Sequence, residues 1–239
     1  DVFNQFKVTG SNTNGSMGIG TDDSQSAGEK IFRLDQFNQR KVYQLATGDF
    51  HNLAIASGCN CTDPINDSCD GRYECNGGCN LYAWGFNVHG QCDGLPSEES
   101  VLEPKIVPFF CKEKKQVKLV AARRSRSIAI TVENEVYEWG FVGSEGTQFS
   151  KLFDLPGDCI QVEIGLEFNL FLLEGGSIYM SGAITQEGYN VLNSWGKLIQ
   201  IEGPKFKKIQ CGYSHALMID EEDRVHAFGA NLFGQLGIG

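Results

Sequence analysis

A two-part module recurs along this chain with a fixed internal spacing, and that spacing constrains the fold more tightly than any other feature. The first part is a turn followed by an apolar triplet. It reads Gly48-x-x-His51-x-Leu53-Ala54-Ile55, then Arg123-x-x-Arg126-x-Ile128-Ala129-Ile130, then Gly165-x-x-Phe168-x-Leu170-Phe171-Leu172, and finally Gly212-x-x-His215-x-Leu217-Met218-Ile219. The second part ends on an aromatic or small residue and a glycine: Trp84-Gly85, Trp139-Gly140, Ser181-Gly182 and Phe228-Gly229. Twelve positions separate Ile128 from Gly140, Leu170 from Gly182 and Leu217 from Gly229, but thirty-two separate Leu53 from Gly85. The excess of twenty marks an insertion in the first copy. Copies recurring every 42 to 47 residues (Ile128 to Leu170, Leu170 to Leu217) belong to propellers and solenoids, whose units bury their faces against one another.

Within each copy the apolar residues alternate, as in Val117, Leu119, Ile128 and Ile130, which is the period of a half-buried antiparallel strand. A short aromatic strand follows, for example Val136-Tyr137-Glu138-Trp139, and turn formers such as Glu133-Asn134-Glu135 lie between the two. Each copy therefore predicts a hairpin. Beyond the hairpin come glycine-spaced segments: Gly10-Ser11-Asn12-Thr13-Asn14-Gly15, Gly85-Phe86-Asn87-Val88-His89-Gly90-Gln91, and Gly229-Ala230-Asn231-Leu232-Phe233-Gly234-Gln235-Leu236-Gly237. They follow hairpins, with no helix start and no GKS or GKT triplet after them, so they read as structural turns and not as phosphate loops.

Together these segments resemble the repeat of the regulator of chromosome condensation family. Cys211-Gly212-Tyr213-Ser214-His215-Ala216-Leu217, Tyr82-Ala83-Trp84-Gly85 and the run from Ala227 to Gly237 carry the resemblance most fully. It covers essentially the whole chain, residues 1–239, apart from an insertion over 58–80. The resemblance implies an all-β fold, a β-propeller of four-stranded blades. The opening residues Asp1 to Gly10 align with Thr131 to Gly140, which gives five second halves against four first halves: about four blades plus a half module. The expectation is an incomplete arc of a larger, seven-bladed propeller. In that family the repeat histidine is mainly structural, so His51 and His215 read as scaffold. The second copy departs from the pattern, with Arg123 for glycine and Arg126 for histidine, as does the third, with Phe168 and Ser181 for His and Trp.

The composition narrows the function classes. A formal charge of −10 argues against a general grip on nucleic acid, and no stretch is long and apolar enough for membrane insertion. One basic run stands out, Lys112, Lys114, Lys115, Lys118, Arg123, Arg124 and Arg126 against a single Glu113. A solvated edge explains such a run, and so does contact with an acidic protein partner; Arg123 and Arg126, which blade building does not require, favour the second. No serine, histidine and carboxylate arrangement supports catalysis, so the expectation is no enzyme and no cofactor.

Five of nine cysteines, Cys59, Cys61, Cys69, Cys75 and Cys79, fall in the insertion. With few apolar side chains to order it, the segment is disulfide-bonded, unbridged or zinc-bound, and its spacing lacks paired CxxC knuckles. Three sequons, at Asn14, Asn60 and Asn66, agree with secretion, whereas Cys92, Cys159 and Cys211 occupy ordinary repeat positions; the compartment reading leans cytoplasmic with secretion kept open. The expected function is a protein-protein interaction scaffold, a subunit or domain of a larger assembly. The resemblance carries an alternative, guanine-nucleotide exchange on a small GTPase, and the cysteines another, an extracellular disulfide-stapled binding module.

Overall fold

The structure, a computed structural model, describes residues 7–23, 31–37, 40–57, 80–95, 100–142, 145–186 and 189–238. The chain divides into two compact units, Asp1–Lys151 and Leu152–Gly239. Both are built of antiparallel sheet, and the described residues of the first add one short α-helix and two 3-10 turns, Thr13–Gly15 and Asp35–Phe37. The insertion expected over 58–80 lies outside them except for Asn80.

In the first unit β1 (Lys7–Val8) pairs with β2 (Phe32–Arg33), and β3 (Val42–Thr47), β4 (His51–Ala56), β5 (Leu81–Phe86) and β6 (Ser100–Ile106) form a four-stranded meander. The helix α1 (Pro108–Lys112) leads into a second meander of β7 (Val117–Arg123), β8 (Arg126–Thr131), β9 (Glu135–Val142) and β10 (Glu145–Asp154). The second unit contains β11 (Cys159–Ile164), β12 (Phe168–Leu173), β13 (Ile178–Gln186) and β14 (Tyr189–Ile201), then a three-stranded sheet of β15 (Phe206–Cys211), β16 (His215–Asp220) and β17 (Val225–Gly229). Sequential four-stranded antiparallel sheets are the blades of a propeller. The expected fold class is the observed one.

The alternation read from the sequence is the blade core. The apolar triplets lie on the second strand of each blade, and Leu53, Ile128 and Leu170 are wholly buried. Trp84 and Trp139 are buried beside them, while Phe228 in the last copy is only half-buried. Under β9, Trp139 packs edge-on against Phe110 of α1, 5.9 Å between ring centres, which ties the helix to its blade.

Each first strand also carries one extra residue at the same place. The pairing register shifts between Val42 and Gln44, Val117 and Leu119, Cys159 and Gln161, and Phe206 and Lys208. A bulge of this kind kinks the strand and increases its twist.

Side-chain amides join neighbouring blades inside each unit. Gln44 on β3 donates Nε2 to the Val120 carbonyl and accepts from the Val120 amide, both at 3.0 Å, so it stands in for a peptide group on β7. Gln161 on β11 does the same to Ile209 of β15, at 2.7 and 3.0 Å. The first amide of β7 is met by Asn80, whose Oδ1 accepts from Val117 N at 3.2 Å while its Nδ2 donates to the Val117 carbonyl at 2.6 Å.

The glycine-spaced segments have a physical role of the same kind. The Asn12, Asn87 and Asn231 side-chain oxygens accept from the amides of Met17, Cys92 and Leu236, each five residues on, and hold the loop closed. The loop then binds the next blade: the Trp84 indole donates to the Ser16 carbonyl at 3.1 Å, and the Trp139 indole to the Gln91 carbonyl at 2.9 Å. The third copy has Ser181 in place of tryptophan, and the second copy, just before it, has no Asn-x-x-Gly-Gln loop.

Candidate interaction surface

The repeat turns decide which side chains are available to a partner. In the first copy Gly48 lies beneath the His51 ring, where an added Cβ would sit 2.3 Å from Cε1; under Phe168 and His215 the corresponding distances at Gly165 and Gly212 are 1.9 and 2.1 Å. A ring at the fourth position thus requires glycine at the first. The second copy exchanges both members of the pair, Arg123 and Arg126, and the arginine chain turns instead to Glu138 on β9. Its Nε donates to Glu138 Oε1 at 3.0 Å, and the two side chains are only 11% and 6% exposed. Glu138 is a partner the sequence reading missed; its charge within the apolar run Val136-Tyr137-Glu138-Trp139 was the available signal.

The basic run is divided by the fold. Lys112, Lys114, Lys115 and Lys118 lie at α1 and the start of β7, and Arg123, Arg124 and Arg126 lie at its far end, roughly 16 Å away at the rise of a strand. Lys115 contacts Glu135 at 2.5 Å, a hydrogen bond that raises its pKa, and Lys118 donates to Asn134 Oδ1 at 2.5 Å. Lys112 and Lys114 are exposed, and Arg123 is half-buried. Arg124 is exposed in the left-handed region at φ 52°, with no side-chain hydrogen bond or ion pair among the described residues.

His51 and His226 belong to the frame. Ser127 Oγ donates to the Gln91 carbonyl at 2.7 Å, which leaves His51 Nε2–H to donate to Ser127 at 2.8 Å. Nδ1 has no partner of good geometry, and the Arg124 carbonyl on that side only partly opposes the burial that holds the ring's pKa down to about 4. His226 and Arg224 both donate to Asp220, whose carboxylate also accepts from the Glu222 and Arg224 amides and so braces the β16–β17 turn. Among the described residues no three metal-ligating side chains come together, and no helix is long and apolar enough to cross a membrane. The zinc candidates Cys59, Cys61, Cys69, Cys75 and Cys79 lie outside those residues. Cys92, Cys159 and Cys211 are free and buried, whereas Cys111 at the end of α1 is disulfide-bonded.

Comparison with known proteins agrees with this geometry. Residues 206–235 match the Regulator of chromosome condensation (RCC1) repeat. The chain is 26% identical over 236 residues to the human probable E3 ubiquitin-protein ligase HERC3, covering 92% of this chain and 20% of that protein. It is 28% identical over 177 residues to Protein RCC1 of Candida albicans, covering 67% and 33%. It thus spans no more than a third of either relative. Among solved structures, Prp20p of Saccharomyces cerevisiae, whose binding to Gsp1p and histones has been described, superposes with a TM-score of 0.72 at 21% identity, over 100% of this chain and 56% of that one. In its recurring turns, and by direct match over residues 206–235, the chain is similar to the regulator of chromosome condensation repeat, and its meanders have the fold of β-propeller blades.

Proposed function

We propose that this chain is a non-enzymatic protein-interaction scaffold, a domain or subunit of a larger assembly, which displays divergent turns on a rigid set of blades. One observation carries the reading. At the turn between the first two strands of every blade the backbone bond is the same, with Phe86, Phe141, Ala183 and Ala230 N–H donating to the carbonyls of Phe50, Ser125, Glu167 and Ser214, all at 2.8 Å. The side chains there differ from copy to copy: Asp49-Phe50, Arg124-Ser125, Leu166-Glu167 and Tyr213-Ser214. A fixed frame with variable, solvent-facing turns is the arrangement used for recognition. The basic residues Lys112, Lys114, Arg123 and Arg124 extend this display.

The test is crosslinking of the full chain to its partners, followed by binding measurements with turns exchanged between copies. Loss of a stoichiometric partner on exchange, with the fold retained, supports the scaffold reading; indifference of every recovered partner to the turns refutes it. Accelerated release of labelled GDP from a small GTPase would favour the exchange-factor alternative instead.

A second reading, an extracellular module, is favoured by the disulfide at Cys111, since such bonds persist in oxidising compartments. Alkylation of the freshly isolated protein in denaturant, without reduction, tests it: Cys111 stays unlabelled if the bond exists in the cell, and labels if it does not.

A further inference from the structure

Four rings form a continuous row on the turn end of the first unit. Phe50, from the β3–β4 turn, meets Phe86 at the end of β5 edge-on, with ring centres 6.5 Å apart. Phe86 meets His89 at 6.1 Å, and His89 meets Phe141 at the end of β9 at 4.7 Å. Phe50 is 48% and Phe141 38% exposed, so the row faces solvent. Blade building does not require it. Ser125, Glu167 and Ser214 stand at the position of Phe50 in the other copies, and Ala183 and Ala230 at that of Phe141.

A charged turn is bonded beside both ends of the row. The Arg124 carbonyl accepts from the Asp49 amide at 3.2 Å, and the adjoining Ser125 carbonyl accepts from Phe141 N, which sets the exposed Arg124 between the two ends of the row. Arg124 holds a backbone conformation that non-glycine residues rarely adopt. The chain as a whole carries a net charge of −10, whereas here Arg124 and neighbouring Arg123 stand beside Asp49, with a local excess of positive charge. Partly exposed rings that touch one another, beside an arginine without an ion pair among the described residues, combine the residue types that dominate binding energy at interfaces.

We propose that Phe50, Phe86, His89, Phe141 and Arg124 form a docking surface for an acidic protein segment bearing an apolar anchor, its side chain laid on the ring row and its carboxylates gripped by Arg124. Charge complementarity selects the occupant: a basic segment would be drawn to the rest of this acidic chain and repelled here, whereas an acidic one is repelled elsewhere and accepted here. The inference rests on the scaffold reading and deepens it by naming a surface and a partner chemistry.

The test uses the full chain and three fluorescein-labelled synthetic peptides: Glu alternating with Leu and Phe, the same apolar residues alternating with Lys, and Glu alternating with Ser. The acidic apolar peptide is expected to bind and to shift the amide resonances of Arg124 and Phe141, with affinity falling as salt is raised. Arg124→Asp and the pair Phe50→Ser with Phe141→Ala, which place other copies' residues in these turns, should each weaken binding about tenfold or more while leaving the unfolding transition in place. Preference for the basic peptide, equal binding of the Glu–Ser peptide, no binding of any peptide, or self-association through the rings overturns the proposal. A crosslinked partner that the variants retain at full affinity also overturns this surface, and leaves the scaffold reading standing.

Discussion

Arg126 on β8 and Glu138 on β9 form a buried ion pair across a diagonal of the register, Arg126 standing opposite Gly140 and Glu138 opposite Ile128, where the other blades place a ring and an alanine or methionine. Desolvation of two charges offsets much of their attraction, so such a pair is weakly stabilising relative to a well-packed apolar pair. Removing only one member leaves a buried charge without a counter-ion.

Arg126→Ala is therefore expected to lower stability by about 3–5 kcal/mol in urea unfolding, and Arg126→Leu combined with Glu138→Ala to lie within about 1 kcal/mol of the parent. A loss from the single change no larger than from the double would show that the pair is not coupled.

The contact between glycine and ring gives a second expectation. Gly48→Ala brings a Cβ within 2.3 Å of the His51 ring and 2.6 Å of the Arg124 carbonyl, both in a packed turn, and is expected to cost about 1–3 kcal/mol. By the same geometry, Arg126→His is tolerated only together with Arg123→Gly and Glu138→Ala. Unfolding of the single, double and triple variants measures this order; a stable Arg126→His single variant would contradict it.

His51 makes stability depend on pH. Its folded pKa, about 4, lies below the ordinary value of 6.5, so between pH 6.5 and 4 the unfolded chain takes up a proton that the folded chain refuses. Stability is fully present above about pH 6.5 and falls as pH drops through the window, by on the order of 3 kcal/mol in total. His51→Phe, which installs the ring found at position 168, removes this contribution. The difference between the two pH profiles of unfolding should therefore slope between 4 and 6.5, and parallel profiles would show that the imidazole is not titrating in this way.

The spacing of twelve and the alternating triplets made the blade meanders legible, because period-2 burial is written directly into residue type. The partners of the departures were not. Arg123 and Arg126 stood out as foreign to the repeat, but their meaning depends on Glu138, twelve residues from Arg126 in sequence and hydrogen-bonded to it only once β8 and β9 pair. The ring row was equally hidden: Phe50, Phe86 and Phe141 are far apart in sequence, and blade-to-blade stacking of turns brings them into one line. The basic run showed the opposite, since adjacency in sequence suggested one patch and the length of β7 made two.

On either side of the insertion the blade is closed by a backbone bond, the Ala56 amide donating to the Asn80 carbonyl at 2.9 Å. Replacing residues 58–79 by a short turn such as Glu133-Asn134-Glu135, in a chain that also carries Cys111→Ser, is expected to leave the blade folded, with a stability change of about 1 kcal/mol or less from loop closure relative to Cys111→Ser alone. Thermal unfolding checks this, and collapse of the transition would mean that the segment supports the core.

The shared bulge behaves like a reading frame. In every first strand one residue, Tyr43, Lys118, Ile160 or Lys207, is left out of the pairing, and the residues after it meet the partner strand shifted by one. Deleting that single residue would keep the composition almost unchanged yet turn the rest of the strand inside out, sending the glutamine amide of β3 or β11 away from the strand it completes. Substitution at these positions leaves the strand legible to its neighbours, whereas loss of one letter garbles it. Drift within this family of blades should then proceed by exchange of residues there and not by deletion.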